Sequence, residues 1–266
     1  MNDLSHEEKP PGTIKNAILG IRWAHLRKGY TSPTDDPIVE LAFKGALRIA
    51  AKYKVSNQKE PLSPEIIKKV CEKYGNSDNL IHQRFLVICI LGYFGFLRIS
   101  EVLKVQVKQI NFGPGYINII LDKSKTDQFR EGHKVPIADN ESHSPISILS
   151  SYLERTGLKN KQEAYVICRL TKTKKGHKAL SQHRISYETA REDFLRLLGP
   201  VVPITKSIRQ YCTHSMRSGG ATVAIKNGVS ERDIDLQGRW KSAKSRNKYL
   251  KDSLSRRLKI SRSLGI

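Results

Sequence analysis

The chain has 266 residues, of which 38% are hydrophobic and 27% charged, and this balance excludes a disordered chain in favour of a soluble globular protein. Its 47 lysines and arginines stand against 25 acidic residues, so the formal net charge is +22. Such an excess opposes compaction and predicts a polyanionic partner, nucleic acid before any other. A membrane surface is the weaker alternative, because the sequence lacks a basic amphipathic helix with a strong aromatic face.

Cysteine usage and the amino terminus predict the compartment. No C-x-x-C pair occurs, and no histidine pair lies at zinc-finger spacing beside the four cysteines, which are Cys71, Cys89, Cys168 and Cys212. Buried thiols of this kind fit a reducing compartment. The amino-terminal sequence MNDLSHEEKPPG lacks the apolar core of a signal peptide. We therefore expect an intracellular protein, nuclear in a eukaryote and otherwise in the cytoplasm or nucleoid.

The first part of the chain divides into a tail, a helical segment and a linker. Residues 1–12 are polar and proline-rich and are predicted to be disordered. Residues 13–54 carry apolar side chains at helical spacing, and an Asp-Pro pair marks the start of a second helix within them. Residues 55–62 are polar and aperiodic and predict a linker. Residues 63–266 then form the larger domain.

The larger domain begins with helices. Ser63 is a candidate N-cap, Pro64 suits the first helical position and Gly75 suits the stop. The apolar run FLVICILGYFGFL, Phe85–Leu97, predicts a buried core helix, because thirteen residues are too few to span a bilayer. The sequence SEVLKV that follows predicts a short helix.

Two short strands and further helices complete the prediction. Tyr116–Leu121 and Lys134–Ile137 read as strands joined by a charged hairpin tip. A helix over Pro145–Leu158, a strand over Tyr165–Cys168 and a helix over Leu180–Gly199 follow. The fold class is therefore mainly α with a small antiparallel β-sheet.

The carboxyl-terminal third is predicted to be helical. A helix rich in small residues runs from His214 and stops at Gly228, and Ser230 with Asp233 has the spacing of a capping box. In the tail, leucines recur at i, i+4 and i+8 and predict a last helix, namely at Leu250, Leu254 and Leu258.

Four segments stand out for their basic and titratable residues, and each is a weak signal when taken alone. Arg98 ends a wholly apolar run, so it must pair, with Glu101 as the nearest partner, or face a cleft. His214 and Arg217 lie three apart on one helix face, beside glycines that allow another backbone to approach closely.

The other two segments are strongly basic. KSKTDQFREG lies on the predicted hairpin tip and reads in isolation as a charged turn, with basic residues at Lys123, Lys125 and Arg130. GRWKSAKSRNKYL resembles a solvated basic tail, yet it holds Trp240 and, nine residues later, Tyr249. The lysines and arginines between these two aromatic residues read as solvated charge.

Together and in this order, the segments resemble the tyrosine recombinases of the phage integrase family. The resemblance covers about residues 60–260 and rests on LGYFGFLRISEVLKVQVKQI, HSMRSGGATVAIKNGVSERDI and GRWKSAKSRNKYL. The sequence pattern GRWKS…Y most resembles that of the recombinases of eukaryotic DIRS and Ngaro mobile elements. The resemblance implies the recombinase catalytic fold, with residues 13–54 as part of a helical core-binding domain. A complete domain of that kind needs several dozen more residues upstream.

The resemblance also implies a mechanism and a set of roles. In this family a tyrosine oxygen attacks a phosphodiester, giving a 3′-phosphotyrosine and a free 5′-hydroxyl without metal or ATP. Arginine suits such chemistry, because its planar guanidinium compensates charge on the phosphate oxygens. The matching residues are the nucleophile Tyr249, the phosphate-binding Arg98 and Arg217, the donors His214 and Trp240, the general acid Lys125 (or Lys123) and the orienting Glu101.

The implied partner is double-stranded DNA, bound by a homo-oligomer that forms a tetramer on paired sites. The carboxyl-terminal helix either packs on its own domain or is exchanged between protomers. No cofactor, metal or membrane is implied. One alternative is a domesticated or truncated DNA-binding protein without strand exchange. The other is a type IB topoisomerase, which the short chain and the lack of a long lysine-rich linker disfavour.

Overall fold

The computed structural model describes residues 9–52, 59–121, 132–174 and 176–251, together with residue 258. The chain divides into two compact units, Met1–Gln58 and Lys59–Ile266. The first unit contains helix α1 (Pro11–Arg27), a 3-10 turn (Pro33–Asp35) and helix α2 (Pro37–Lys52). Its buried apolar cluster is small and consists of Ile14, Ala46 and Ala50.

Proline sets the beginning of each helix in the first unit. Pro11 opens α1, two residues before the predicted start at Thr13, because proline at the first helical position lacks only an N–H group that would have no partner there. Pro37, the second residue of the Asp-Pro pair that predicted this start, opens α2 in the same way.

The second unit consists of helices around two small antiparallel sheets. In chain order its elements are α3 (Pro64–Tyr74), α4 (Leu80–Phe94), α5 (Ile99–Val102), β1 (Ile110–Gly113), β2 (Tyr116–Leu121), β3 (His133–Ala138), α6 (Pro145–Arg155), β4 (Cys168–Thr173), β5 (Gly176–Arg184), α7 (Tyr187–Leu198), α8 (His214–Lys226), α9 (Glu231–Gly238) and α10 (Ala243–Asn247). The mainly helical fold class predicted from the sequence is confirmed. Ser63 and Gly75 cap α3 as predicted, and the Ser63 Oγ accepts from the Ile66 N–H.

Helix α4 is the centre of the hydrophobic core, as its apolar run predicted. It is buried on all sides from Gln83 to Tyr93. Arg84 within it is also buried, and its guanidinium donates to the carbonyl of Cys168 at 3.0 Å and to Asp193 at 2.7 Å. A paired and hydrogen-bonded arginine is the form in which a buried charge is tolerated. Arg84 thereby joins α4 to β4 and α7.

Helix α8 approaches other backbone segments closely through its glycines. A Cβ atom added at Gly219 would lie 2.2 Å from the carbonyl oxygen of Leu62, and one at Gly220 would lie 2.1 Å from that of Tyr93. The prediction that these glycines admit another backbone is therefore confirmed. Leu62, which the sequence places at the end of the linker, is fully buried, and its N–H donates to the Ser215 carbonyl at 2.9 Å.

The first sheet has the order β1–β2–β3, and the predicted pairing of β2 with β3 is confirmed, with Ile119 opposite Val135. Strand β1 was not predicted, because it has only four residues and alternates weakly. Three of the cysteines are buried and all four are free thiols, as predicted.

The second sheet corrects the sequence prediction. Leu180–Arg184 was expected to begin a helix, but these residues lie in β5, which pairs antiparallel with β4. The helix begins only at Tyr187, where the Ser186 Oγ accepts from the Thr189 N–H at 3.1 Å. Cross-strand pairing with β4 supplies the hydrogen bonds that a helix would otherwise make, and local periodicity does not reveal such pairing.

Candidate active site

Glu101 lies at the centre of the site and is held at the start of α5. It accepts from the Arg98 backbone N–H at 2.8 Å and from the Arg98 guanidinium at 2.7 Å. The Arg-x-x-Glu spacing permits both bonds, because residues three apart face each other across the first helical turn. The Arg98 side chain remains 16% exposed, so part of its guanidinium is accessible to a ligand.

Arg217 enters the same cluster from α8 and is completely buried. Its guanidinium donates to the carbonyl of Phe96 at 2.5 Å and to the carbonyl of Gly238. The carboxylate of Glu101 lies 4.0 Å away. Two backbone carbonyls thus hold Arg217 in place. Because the nearest carboxylate is 4.0 Å away, the positive charge of Arg217 is only partly compensated.

Sequence reasoning missed a third arginine. Arg239 is buried and donates to Glu101 Oε2 at 2.7 Å and to the Gln237 carbonyl at 3.0 Å. Its backbone is left-handed, with φ of 55°, which turns the chain at the end of α9. The only sequence signal was its place between Gly238 and Trp240, and a basic residue in a basic stretch does not stand out.

Trp240 covers the guanidinium of Arg217. The Arg217 Cζ lies 4.3 Å from the indole centroid, a distance typical of a cation–π contact. Trp240 is only 6% exposed, and its indole N–H is buried without a hydrogen-bond partner in the part of the chain that the structure describes. The ring therefore fixes Arg217, and its N–H is an unused donor.

Tyr249 lies beside both Trp240 and Arg217. Its ring centroid is 5.4 Å from that of Trp240 and 5.0 Å from the Arg217 Cζ. The exposed ring of His214, the first residue of α8, lies 6.1 Å from it. The hydroxyl of Ser218 donates to the Tyr249 carbonyl, so α8 also holds the backbone at this position.

Arg246 corrects the view that all basic residues between Trp240 and Tyr249 are solvated. Its side chain is 4% exposed and pairs with Asp235 at 2.8 Å and with Glu231 at 2.5 Å. These pairs attach α10 to α9. The segment between Trp240 and Tyr249 is consequently anchored at Arg246. The backbone N–H of Tyr249 in turn donates to the Arg246 carbonyl at 2.8 Å.

Burial and neighbouring charges shift the pKa values of the cluster. Burial favours the neutral form of Glu101, but Arg239 and Arg98 outweigh it and lower the pKa of this carboxyl. His214 is exposed as a residue, yet partial desolvation of its imidazole, and then the charges of Arg217 and Arg98, lower its pKa. At neutral pH Glu101 is therefore ionised, whereas His214 is an uncharged imidazole with a single N–H donor.

The charge balance of the cluster suits an anionic ligand. Three guanidinium groups surround one carboxylate, which leaves an excess of two positive charges around Arg98, Arg217 and Arg239. Burial lowers the pKa of Arg217, and the repulsion from Arg98 and Arg239 lowers it further. A phosphodiester would relieve that repulsion.

The predicted general acid lies outside the described residues. Lys123, Lys125 and Arg130 all fall in the segment that joins β2 to β3. Of the remaining predicted site residues, the structure brings together Arg98, Glu101, His214, Arg217, Trp240 and Tyr249.

Across the described ranges, no group of three or more His, Cys, Asp or Glu side chains could hold a metal ion. Nor does any helix there have the length and apolarity needed to cross a membrane.

The fold resembles that of known recombinases. The crystal structure of the XerA recombinase superposes with a TM-score of 0.56 at 16% identity, over 97% of this chain and 85% of that one. The Tn1549 transposon integrase, solved in complex with circular intermediate DNA, gives 0.57 at 15% identity, over 98% and 81%. At such low identity these similarities establish the fold.

Sequence comparison establishes the family. The model of the phage integrase family matches residues 60–256, and the chain therefore belongs to this family, the tyrosine recombinases. An integrase/recombinase XerD homolog of Selenomonas ruminantium is 22% identical over 255 residues, which are 94% of this chain and 71% of the relative. The resemblance inferred from the sequence is confirmed at the level of the family, and the likeness to DIRS and Ngaro elements stays a prediction.

Proposed function

We propose that the protein is a site-specific DNA recombinase that cleaves and rejoins strands through a phosphotyrosine at Tyr249. One observation carries the proposal: three guanidinium groups from separate segments surround one buried carboxylate, and the phenol ring of Tyr249 lies between one of them, Arg217, and the imidazole of His214. The Tn1549 transposon integrase, which shares the fold, was solved in complex with circular intermediate DNA, and this supports DNA as the partner.

In the proposed reaction the phenolic oxygen of Tyr249 attacks the phosphorus and gives up its proton to water, and the bond to the 5′-oxygen breaks. Lys125 gives a proton to that leaving oxygen. Arg98 and Arg217 compensate the charge that gathers on the non-bridging oxygens, and His214 adds one hydrogen bond. Attack of a 5′-hydroxyl on the phosphotyrosine reverses the step, so the bond energy is retained and ATP is not needed.

The other residues of the set position these groups. Glu101 orients Arg98, and the ring of Trp240 holds Arg217 in place. Donation by the Trp240 N–H to a phosphate oxygen requires that the groups which cover it move, because this atom is buried. In the same proposal residues 13–54 act as part of a core-binding domain, and protomers assemble as a tetramer on paired sites.

A nicked suicide substrate tests the nucleophile. Cleavage releases a short fragment from such a duplex, so that the covalent protein–DNA adduct accumulates and is seen on a denaturing gel. We expect an adduct with the wild type, none with Tyr249→Phe, and equal duplex affinity for both, because the substitution removes only the attacking oxygen.

Tyr187→Phe is the matched control, since this tyrosine is exposed on α7. An adduct that persists in Tyr249→Phe would show that another residue attacks. Binding of duplex DNA without any adduct from the wild type would favour the non-cleaving alternative.

A further inference from the structure

The β4–β5 hairpin, Cys168–Arg184, is a basic ribbon that the proposed reaction does not use. Residues 164–187 contain no aspartate or glutamate, whereas six lysines and arginines lie between Cys168 and Arg184. A run of like charge in a folded hairpin is costly through self-repulsion unless a partner compensates it. The composition therefore points to an anionic partner for this ribbon.

The cations of the ribbon are available to such a partner. Five described basic side chains are exposed, namely Arg169, Lys172, Lys174, Lys178 and Arg184. None of them forms an ion pair with another described residue. Elsewhere in the second unit exposed lysines do pair, as Lys108 does with Glu163 at 2.7 Å.

The strand register arranges these charges in order. Thr171 is opposite Lys178 and Lys172 is opposite His177. Because side chains alternate between the faces of a strand, Arg169 and Lys178 share one face, while Lys172 projects from the other. Arg169 and Lys178 are offset by two residues along the ribbon, which is about 7 Å. Two separated cations on one face and a third on the other give the ribbon several contact points for the regular charge of a nucleic acid backbone.

A crevice links the ribbon to the active site. It has a volume of about 280 Å³, and its lining includes Glu101 of the active site, Arg184 of β5, Lys104 and Tyr165. Lys104 and Arg184 are exposed and form no ion pair within the described residues. Positive charge consequently continues from the arginine cluster through the crevice to the ribbon.

We infer that the β4–β5 ribbon binds the phosphates of duplex DNA that flanks the reacting phosphate. This inference rests on the proposed function for its choice of partner. Phenylalanine, tyrosine and tryptophan are absent between Cys168 and Arg184, so the ribbon lacks the aromatic residues that stack on single strands or anchor protein interfaces. Contacts of lysine and arginine with phosphates add affinity and register and carry no base sequence.

The test uses the full-length protein with the triple variant Arg169→Gln, Lys172→Gln and Lys178→Gln. The control, Lys68→Gln, Lys69→Gln and Lys73→Gln, removes the same charge from exposed positions of α3. Affinity is measured against salt for a short duplex limited to the cleavage position and for duplexes extended on either side. We expect the ribbon variant to lose affinity for an extended duplex. The slope of the logarithm of the binding constant against the logarithm of salt concentration should fall in magnitude by about 0.9 for each lost phosphate contact.

Further expectations make the result decisive. The ribbon variant should form adduct at the wild-type rate when DNA is saturating and should lose hydroxyl-radical protection on one flank only. A ribbon variant that matches the α3 variant in slope and protection overturns the inference, as does an equal loss on short and extended duplexes. A larger loss of affinity for single-stranded or RNA probes than for duplex DNA also overturns it.

The two proposals fail separately. If the wild type forms no adduct but the ribbon variant still loses affinity for extended duplexes, the proposed function fails and the ribbon remains a DNA-binding surface. If adduct forms and the ribbon variant behaves as the control does, only the inference about the ribbon fails.

Discussion

Arg239 is the residue whose role the tertiary structure changes most. Its guanidinium donates to the Oε2 atom of Glu101 at 2.7 Å, whereas the guanidinium of Arg217 lies 4.0 Å from that atom. Arg98 pairs with the Oε1 atom and Arg239 with the Oε2 atom, so the charge of Arg217 stays available for a phosphate. Without Arg239, the Oε2 atom of Glu101 would compete with the phosphate for Arg217.

A double-mutant cycle tests this role. Arg239→Gln should slow adduct formation by about 10- to 100-fold, or ~1.4–2.7 kcal/mol of activation free energy. Glu101→Gln combined with Arg239→Gln should restore part of the rate, since it returns the excess to two positive charges. The rate is measured per folded protein at saturating DNA, together with the free energy of unfolding of each variant.

Recovery of stability without recovery of rate would contradict the electrostatic role and leave Arg239 as a structural residue only. Two additive single effects would do the same, because residues that share a contact are expected to couple by about 0.5–3 kcal/mol. Arg239→Lys is a further check, since lysine keeps the charge and loses the forked geometry of the guanidinium.

Helix α8 shows what an element contributes beyond its own residues. It supplies His214 and Arg217 to the site, and its adjacent residues Gly219 and Gly220 pass close to the backbone of Leu62 and Tyr93, respectively. The glycines that allow this approach thereby set the depth at which Arg217 is buried. Local sequence identified the helix and its stop at Gly228, where φ is 87°, but not its neighbours.

Gly219→Ala should be destabilising although alanine favours helices. Its Cβ would lie 2.2 Å from a carbonyl oxygen of the backbone, which cannot move aside as a side chain can. We expect a loss of about 1–3 kcal/mol or more in the free energy of unfolding, measured by denaturant titration. Lys226→Ala, at an exposed position of the same helix, should change it by less than about 0.5 kcal/mol. Equal values for the two variants would mean that α8 shifts freely.

On the scale of the whole molecule, the two units differ greatly in their cores. The first unit buries three apolar side chains among its described residues, whereas the core of the second extends over α3–α8 and both sheets. Large apolar side chains of the first unit remain exposed, including Trp23 and Leu41. The stability that apolar burial gives to the first unit is correspondingly small.

Native-state hydrogen exchange should therefore separate the units. Amides of α1 and α2 should exchange through local opening at low free energy, and amides of α4 and α8 should exchange only near global unfolding. Mass spectrometry of proteolytic fragments after timed labelling measures this difference. Equal protection in both units would show that the first unit is stabilised by contacts beyond its own small cluster.

The boundaries of helices and strands could be predicted where a local signal sets them. Ser63, Pro64 and Gly75 determine α3 through capping, and alternation of apolar residues determined β2 to the residue. Leu180–Arg184 was assigned wrongly, because its place in β5 depends on hydrogen bonds to β4. Those bonds join residues that no local pattern relates.

The sequence by itself determined the family, the mainly helical fold and most of the candidate site. Residue type and order suffice for this, because Arg-x-x-Glu, His-x-x-Arg and the Trp–Tyr interval of nine residues follow one another in the order typical of the family. Only the tertiary structure revealed Arg239, the buried pairs of Arg246 and the unused donor of Trp240. Burial and pairing decide what a charged side chain does, and both depend on residues that lie far apart in the chain.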